Sequence, residues 1–327
     1  MGTARGVILV LVVWTLMALM IIAAELARTM HVEGLTAESY QQVVITYDLA
    51  LAGFHRALYQ FVRAPHRGRP LLAPPGTGAP VPPNAQLDRW ARGDGQWYNE
   101  AFGAGGYWVR VTDEGGKLNL NQVDEAALRQ ALANLGFALE FTETLADAIL
   151  DWRDADSLVR LHGAESDRYL ALPVPYPAKD GPFDTLAELL LVRGVTPALF
   201  YGRNGGPALR ELFTVYHAVS GGTGTVNLLT AGPLVLQAVL GVDAARAQEL
   251  VRQRAETGIA DLASLPPGST GGVFDVLPSV VTIESIGYLQ TGGVTRRLAG
   301  VVQRQDDTGF RVLHWQDHQE ETGPLLP

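Results

Sequence analysis

The chain has no cysteine. Disulfide staples and cysteine-ligated metal centres are therefore excluded. The compartment stays open on this point, because oxidising compartments permit disulfides without requiring them. Positive charge is also short: 25 Lys and Arg stand against 34 Asp and Glu, a formal net charge of -9. That balance repels phosphate backbones and argues against general affinity for nucleic acid. Catalytic signatures are missing as well. No phosphate-binding loop or dinucleotide fingerprint occurs. Ser220-Gly221-Gly222 lacks the frame of a nucleophile elbow. The histidines His31, His55, His66, His162, His217, His314 and His318 are scattered. His314 and His318 share a four-residue spacing, but their strand-like surroundings would not bring two imidazoles together on one metal. These residues give no support to an enzyme.

What the chain does have begins at its front. No charged residue occurs from Val7 to Ala24. As a helix this run would span roughly 27 Å, about the hydrocarbon thickness of a bilayer. A secretory signal peptide has a shorter apolar region and then a small-residue cleavage site. Here Ala23-Ala24 runs into Glu25 with no turn, and helical spacing continues. Val43, Val44, Tyr47, Leu51, Phe54, Leu58 and Phe61 form one apolar stripe. The first strong stop is Pro65, which opens a Pro/Gly-rich stretch to Pro83. One long helix is expected, apolar all round at first and amphipathic later. An anchor followed by a separate helix is the alternative.

Period-two alternation marks strands in "GYWVRVTDE" (Gly106–Glu114), "VVTIESIGYLQ", "RRLAGVVQRQ" and "GFRVLHWQD" (Val280–Asp317), with turns at Gly292-Gly293 and Asp306-Asp307-Thr308-Gly309. Between them lies an internal repeat. Leu118-Asn119-Leu120 matches Val226-Asn227-Leu228, and Leu128 and Leu132 match Leu236 and Leu240. Each copy has a second helical pattern ending in arginine, at Arg153 and Arg254. "GPFDTLAELL" and "GIADLASL" (Gly258–Leu265) then follow. Duplicated helical units of this kind bury their apolar faces against each other. The expected fold is α+β: a long N-terminal transmembrane helix on a small antiparallel sheet, with a helical region inserted between its strands. Its parts are residues 1–6, a leader; 7–24, the membrane span; 25–63, the rest of the helix; and 64–116, a linker and the first strands. The insert is 117–278, with units at about 117–200 and 222–266, followed by strands in 279–317 and a tail at 318–327.

Each helical unit resembles a helix-hairpin-helix, or SAM-like, module. Such modules often hold DNA phosphates on hairpin amides, with two glycines in the turn. Here only Gly136 and Gly241 are supplied, and Glu143 and Asp243 put negative charge where a phosphate would sit. A structural or protein-contacting domain is favoured over an anchored DNA-binding or DNA-uptake protein. Asp151, Asp154, Asp156, Glu165 and Asp167 crowd one loop. Hard oxygen ligands at this density can hold calcium, although the spacing is not that of an EF-hand. The alternative is a solvated acidic loop, with Asp154 making local pairs to Arg153 or Arg160 that contribute little.

The leader ends in Arg5-Gly6, directly before the apolar run. It resembles the leaders of type IV pilins and type II secretion pseudopilins. That resemblance implies cleavage by a prepilin peptidase between Gly6 and Val7. Arg5 favours a cytoplasmic N-terminus. Most of that family carry glutamate at the fifth mature position, where it pairs with a neighbour's amine; here the position is Leu11. A buried charge without a partner is costly, so a subunit with no neighbour above it tolerates an apolar residue. Leu11 thus suits a tip subunit.

The stretch Asp147–Asp154, with Gly163-Ala164-Glu165, Tyr169, Tyr176, Pro182-Phe183, Glu188-Leu189 and Val192–Thr196, is similar to the central region of the general secretion pathway protein K family. Val226–Ala231 fits the same family, apart from Leu229 where a second asparagine is usual. The resemblance implies a non-enzymatic minor pseudopilin at the tip of a periplasmic pseudopilus in a type II secretion system, helping to start its assembly. It implies a single-pass inner-membrane protein with a periplasmic bulk. Its implied partners are other minor pseudopilins of the I, J and H types, the prepilin peptidase and the inner-membrane platform. No cofactor is required by the resemblance, though some relatives bind calcium in the inserted region.

Overall fold

The computed structural model describes residues 3–63, 90, 93–202, 206–216, 226–228, 230–257, 271–272, 278–290, 294–305 and 309–318. Residues 64–89, Ser220-Gly221-Gly222, Leu229, Gly258–Leu265, Gly292-Gly293, Asp306-Asp307-Thr308 and 319–327 lie outside them. The chain runs α1 (Thr3–Arg63), β1 (Asp94–Phe102) and β2 (Gly105–Asp113). It continues through β3 (Leu118–Asn119), α2 (Glu125–Asn134), α3 (Leu139–Arg153), α4 (Ser166–Leu170), α5 (Pro197–Tyr201), α6 (Leu209–Leu212) and β4 (Phe213–Thr214). Next come β5 (Val226–Asn227), α7 (Pro233–Leu240), α8 (Ala244–Thr257) and β6 (Gly271–Gly272). The last strands are β7 (Val280–Leu289), β8 (Thr295–Arg304) and β9 (Phe310–His318).

α1 is one helix of 61 residues, about 90 Å long at 1.5 Å per residue. Large apolar side chains from Leu9 to Leu35 are exposed, and by length and composition this part can cross a membrane. Thr46 is the first fully buried residue of the helix among those described. Phe54, Leu58 and Phe61 are buried as the stripe suggests, but Val44 is 57% exposed, and Thr46, Leu49, Ala50 and Ala57 make the contact. The reason is close approach to β7. A Cβ on Gly287 would lie 2.0 Å from the Thr46 carbonyl oxygen, and one on Gly53 would lie 2.5 Å from Ser285 Oγ. Small residues on both surfaces let the helix backbone descend onto the strand.

The sheet order is β1-β2-β7-β8-β9, antiparallel throughout. Tyr107, Val109, Val111, Val281, Ile283 and Val302 meet Phe54, Leu58 and Phe61 in one core. β2 and β7 are neighbours, so the whole insert leaves and re-enters between adjacent strands. Direction follows from register. Gly287 lies at Thr46, whereas Arg304, bonded through its amide to Ser279, donates to the Phe61 carbonyl at the far end of the helix. The insert therefore departs from the end of the sheet farthest from the apolar segment.

A buried pair of carboxylates makes the joint. A 3-10 turn, Glu114–Gly116, follows β2. Asp113 accepts from the Gly115 amide, Asn227 Nδ2 and Thr230 Oγ1. Glu114 accepts from Lys117 Nζ, Thr214 Oγ1 and Thr282 Oγ1. Two adjacent side chains thus tie together the sheet and both helical units. Burial pushes the Asp113 carboxyl up to about 6, helped by the Glu114 charge and opposed by the three donors.

The insert has its own apolar core, built from both units, with α2 packed on α7. The repeat is visible in its fastening. Arg153 donates to the carbonyls of Leu120 and Val123, and Arg254 donates to those of Leu228 and Ala231, the corresponding residues of the second copy. Each arginine caps the turn that leads into its own unit.

Candidate functional site

Two regions carry chemistry. The first is the N-terminal helix. Gly6 and Val7 fall within α1, where their side chains lie outside the described residues. Leu11 is 60% exposed on the apolar segment. That exposure leaves it open to lipid or to neighbouring helices.

The second is the loop after α3. Asp147 and Asp151 project from the buried face of that helix. Asp151 Oδ1 accepts from Arg160 Nη1 at 2.8 Å, and its Oδ2 accepts the Arg160 amide at 3.2 Å. The same Arg160 nitrogen reaches Asp154 Oδ2 at 2.5 Å. Arg153 is occupied with carbonyls, so Arg160 is the partner of Asp154. Asp147 accepts the His162 amide at 3.0 Å and is paired with Arg129.

Asp154, Asp156 and Glu165 come together, with one carboxylate oxygen of each within 4.8 Å of the others. Asp151 and Asp167 are not in this group: Asp151 is engaged by Arg160, and Asp167 sits in the first turn of α4. Glu165 is 7% exposed, yet neither of its carboxylate oxygens has a hydrogen-bond partner, and Asp154 Oδ1 also has none. Burial pushes Glu165 up to about 7, and the charges of Asp151, Asp180, Asp154 and Asp156 add to the effect. An orphaned buried carboxylate among like charges fits a hard divalent cation. The donor set is all oxygen, which suits calcium and not zinc. Trp152, Tyr169 and Tyr176 pack beside the loop, with centroids 5.2 Å apart for the first pair and 5.4 Å for the second.

Several participants are not among the carboxylates expected to bind. Asp147 contributes by pinning the loop backbone. Its signal was present in "LADAILDW", where two aspartates four apart sit inside an apolar helix. Asp180, in left-handed backbone at φ 50°, adds charge near Glu165 from a segment distant in sequence. The two acidic residues beside the hairpin turns are otherwise engaged. Asp243 accepts the Arg246 amide at 2.7 Å, and Glu143 pairs with Arg129.

A long helix, apolar then amphipathic, laid on an antiparallel sheet is the architecture of a pilin-like subunit. A helical insert between two adjacent strands sets this one apart within the class. Residues 114–202 match the family model described as type II secretion system (T2SS), protein K. A type II secretion system protein K of Pectobacterium carotovorum is 32% identical over 152 residues, 43% of this chain and 44% of that protein. The protein K of Klebsiella pneumoniae is 26% identical over 278 residues, 80% of this chain and 78% of that one. That of Pseudomonas aeruginosa is 26% identical over 220 residues, 63% of each. The matched part thus spans about half the length of the Pectobacterium relative. The fold resembles a chain in the crystal structure of the GspK-GspI-GspJ complex from enterotoxigenic Escherichia coli, with a TM-score of 0.57 and 16% identity. The likeness covers 87% of this chain and 98% of that one. Over residues 114–202 the chain thus carries the domain of type II secretion system protein K, and its relatives at lower identity bear the same name.

Proposed function

We propose that this chain is a minor pseudopilin that caps the periplasmic tip of a type II secretion pseudopilus and helps to start its assembly. The observation that carries the reading is the point of attachment of the insert. Some 160 residues (117–278) leave the sheet at the end farthest from the apolar segment, fastened there by Asp113 and Glu114. A continuous filament needs matching faces above and below each subunit. A bulky unit fixed at the upper end obstructs the next subunit. Leu11 supports the same place, since it offers no carboxylate to an amine above it.

The apolar helix anchors the chain in the inner membrane, with a cytoplasmic N-terminus after processing between Gly6 and Val7 and the bulk in the periplasm. By likeness to the E. coli complex, the partners are I- and J-type minor pseudopilins; the pilin-like leader and apolar helix extend the proposal to the H type, the prepilin peptidase and the inner-membrane platform. The role is structural and not enzymatic. Asp154, Asp156 and Glu165 hold a calcium ion that relieves the repulsion among them. Asp243 capping α8 and the net charge of -9 weigh against the DNA-binding reading. Reconstitution of the full chain with the other minor pseudopilins tests the proposal. A complex of fixed stoichiometry is expected, and polymerisation of this chain alone would contradict it.

A further inference from the structure

Three carboxylates brought together repel one another, so a cation loop gains affinity when something other than the ion holds it in place. We propose that Asp147 and Asp151 are positioning residues that pre-set this loop without ligating the ion, and that Gly163 is the residue that admits them. The inference rests on the calcium reading above.

The two aspartates are four residues apart on one face of α3, and both are buried. They accept the amides of Arg160 and His162, alternate residues of the loop. Arg193 grips the same segment through its carbonyls, donating to His162 at 3.0 Å and to Gly163 at 2.8 Å. The backbone from Arg160 to Gly163 is therefore fixed by side chains outside the carboxylate trio. Arg160 extends the device. It bridges Asp151 and the Oδ2 oxygen of Asp154, leaving Asp154 Oδ1 without a partner. At Gly163 the loop passes close against the helix: a Cβ there would lie 1.9 Å from Asp151 Oδ2. Any larger residue must displace the carboxylate or the loop.

The test uses the detergent-solubilised full chain. Calcium affinity is measured by calorimetry. Terbium is the second probe, its luminescence sensitised by Trp152, Tyr169 and Tyr176, and lifetimes in light and heavy water count the waters bound to it. Gly163→Ala removes no ligand and no charge, and Asp151→Asn keeps the shape of the side chain. Both are expected to weaken calcium binding about tenfold or more, with the number of waters on terbium unchanged. Asp154→Ala, which removes a ligand, should raise that number. Wild-type affinity in both Gly163→Ala and Asp151→Asn would overturn the proposal, as would an added water on terbium in Asp151→Ala, which would make Asp151 a ligand. If Asp151→Asn fails to fold, Asp147→Asn and Gly163→Ala decide the matter by the same two readouts. A wild-type chain that binds neither ion defeats the calcium reading itself, a different result from binding that ignores these substitutions.

Discussion

Asp113 allows a prediction whose size can be worked out. Its carboxyl is fully buried at the joint between sheet and insert and is raised from 3.8 to about 6, first by burial and then by the Glu114 charge. A folded-state value above the unfolded one means that the group's stabilising contribution is complete below pH 3.8 and is lost as pH rises through about 6. At ~1.4 kcal/mol per pH unit, the difference corresponds to about 3 kcal/mol. Asp113→Asn removes the titration while keeping the size of the side chain. Urea denaturation of both proteins from pH 4 to 7.5, followed by tryptophan fluorescence, yields two stability curves. The wild-type curve minus the mutant curve should fall by about 3 kcal/mol across the window from 3.8 to 6 and then level off. Asn227 Nδ2 would face a donor in the mutant, which shifts the whole difference but not its slope. Parallel curves through that window would refute the reasoning, because Asp113 would then titrate alike in folded and unfolded chains.

Mass spectrometry of the membrane-extracted protein should find Val7 at the N-terminus, and a start at Met1 or near Ala24 would contradict pilin-type processing. Calcium at a hundred times its dissociation constant should stabilise the folded chain by about 2.7 kcal/mol; paired Asp154→Asn and Asp156→Asn substitutions should abolish the rise in melting temperature, and an equal rise in the mutant counts against the trio. Gly287→Val should push α1 off β7 at Thr46 and destabilise the helix–sheet unit by about 3 kcal/mol or more, whereas a wild-type denaturation midpoint would mean that the approach is looser than it looks.

How much of this was legible in the sequence depends on the kind of signal. The long helix could be read because its apolar run is unbroken and Pro65 supplies a stop. β2 and β7 to β9 could be read because inward residues such as Val109 and Val111 alternate with residues such as Arg110. β1 gave no such pattern, since it is an edge strand without a regularly buried face. The face of α1 was read from its large residues, yet Gly53, Gly287 and Ala50 set the contact, because depth of approach depends on what is missing from two surfaces at once. The acidic loop was visible as a density of carboxylates. Which of them converge was not, because Arg160 and Arg193, which hold the loop, act from outside the carboxylates themselves. The matching roles of Arg153 and Arg254 were implicit in the repeat, where both close the second helix of their unit.

The central claim is that an insert fixed to the far end of the sheet makes this a subunit used once, at the tip. The most direct measurement is the counting of label along isolated pseudopili that carry a tagged copy of this chain. Label confined to one end of each filament, at a constant number per filament whatever its length, is the predicted result. Label distributed along the shaft, rising in number with filament length, would contradict it.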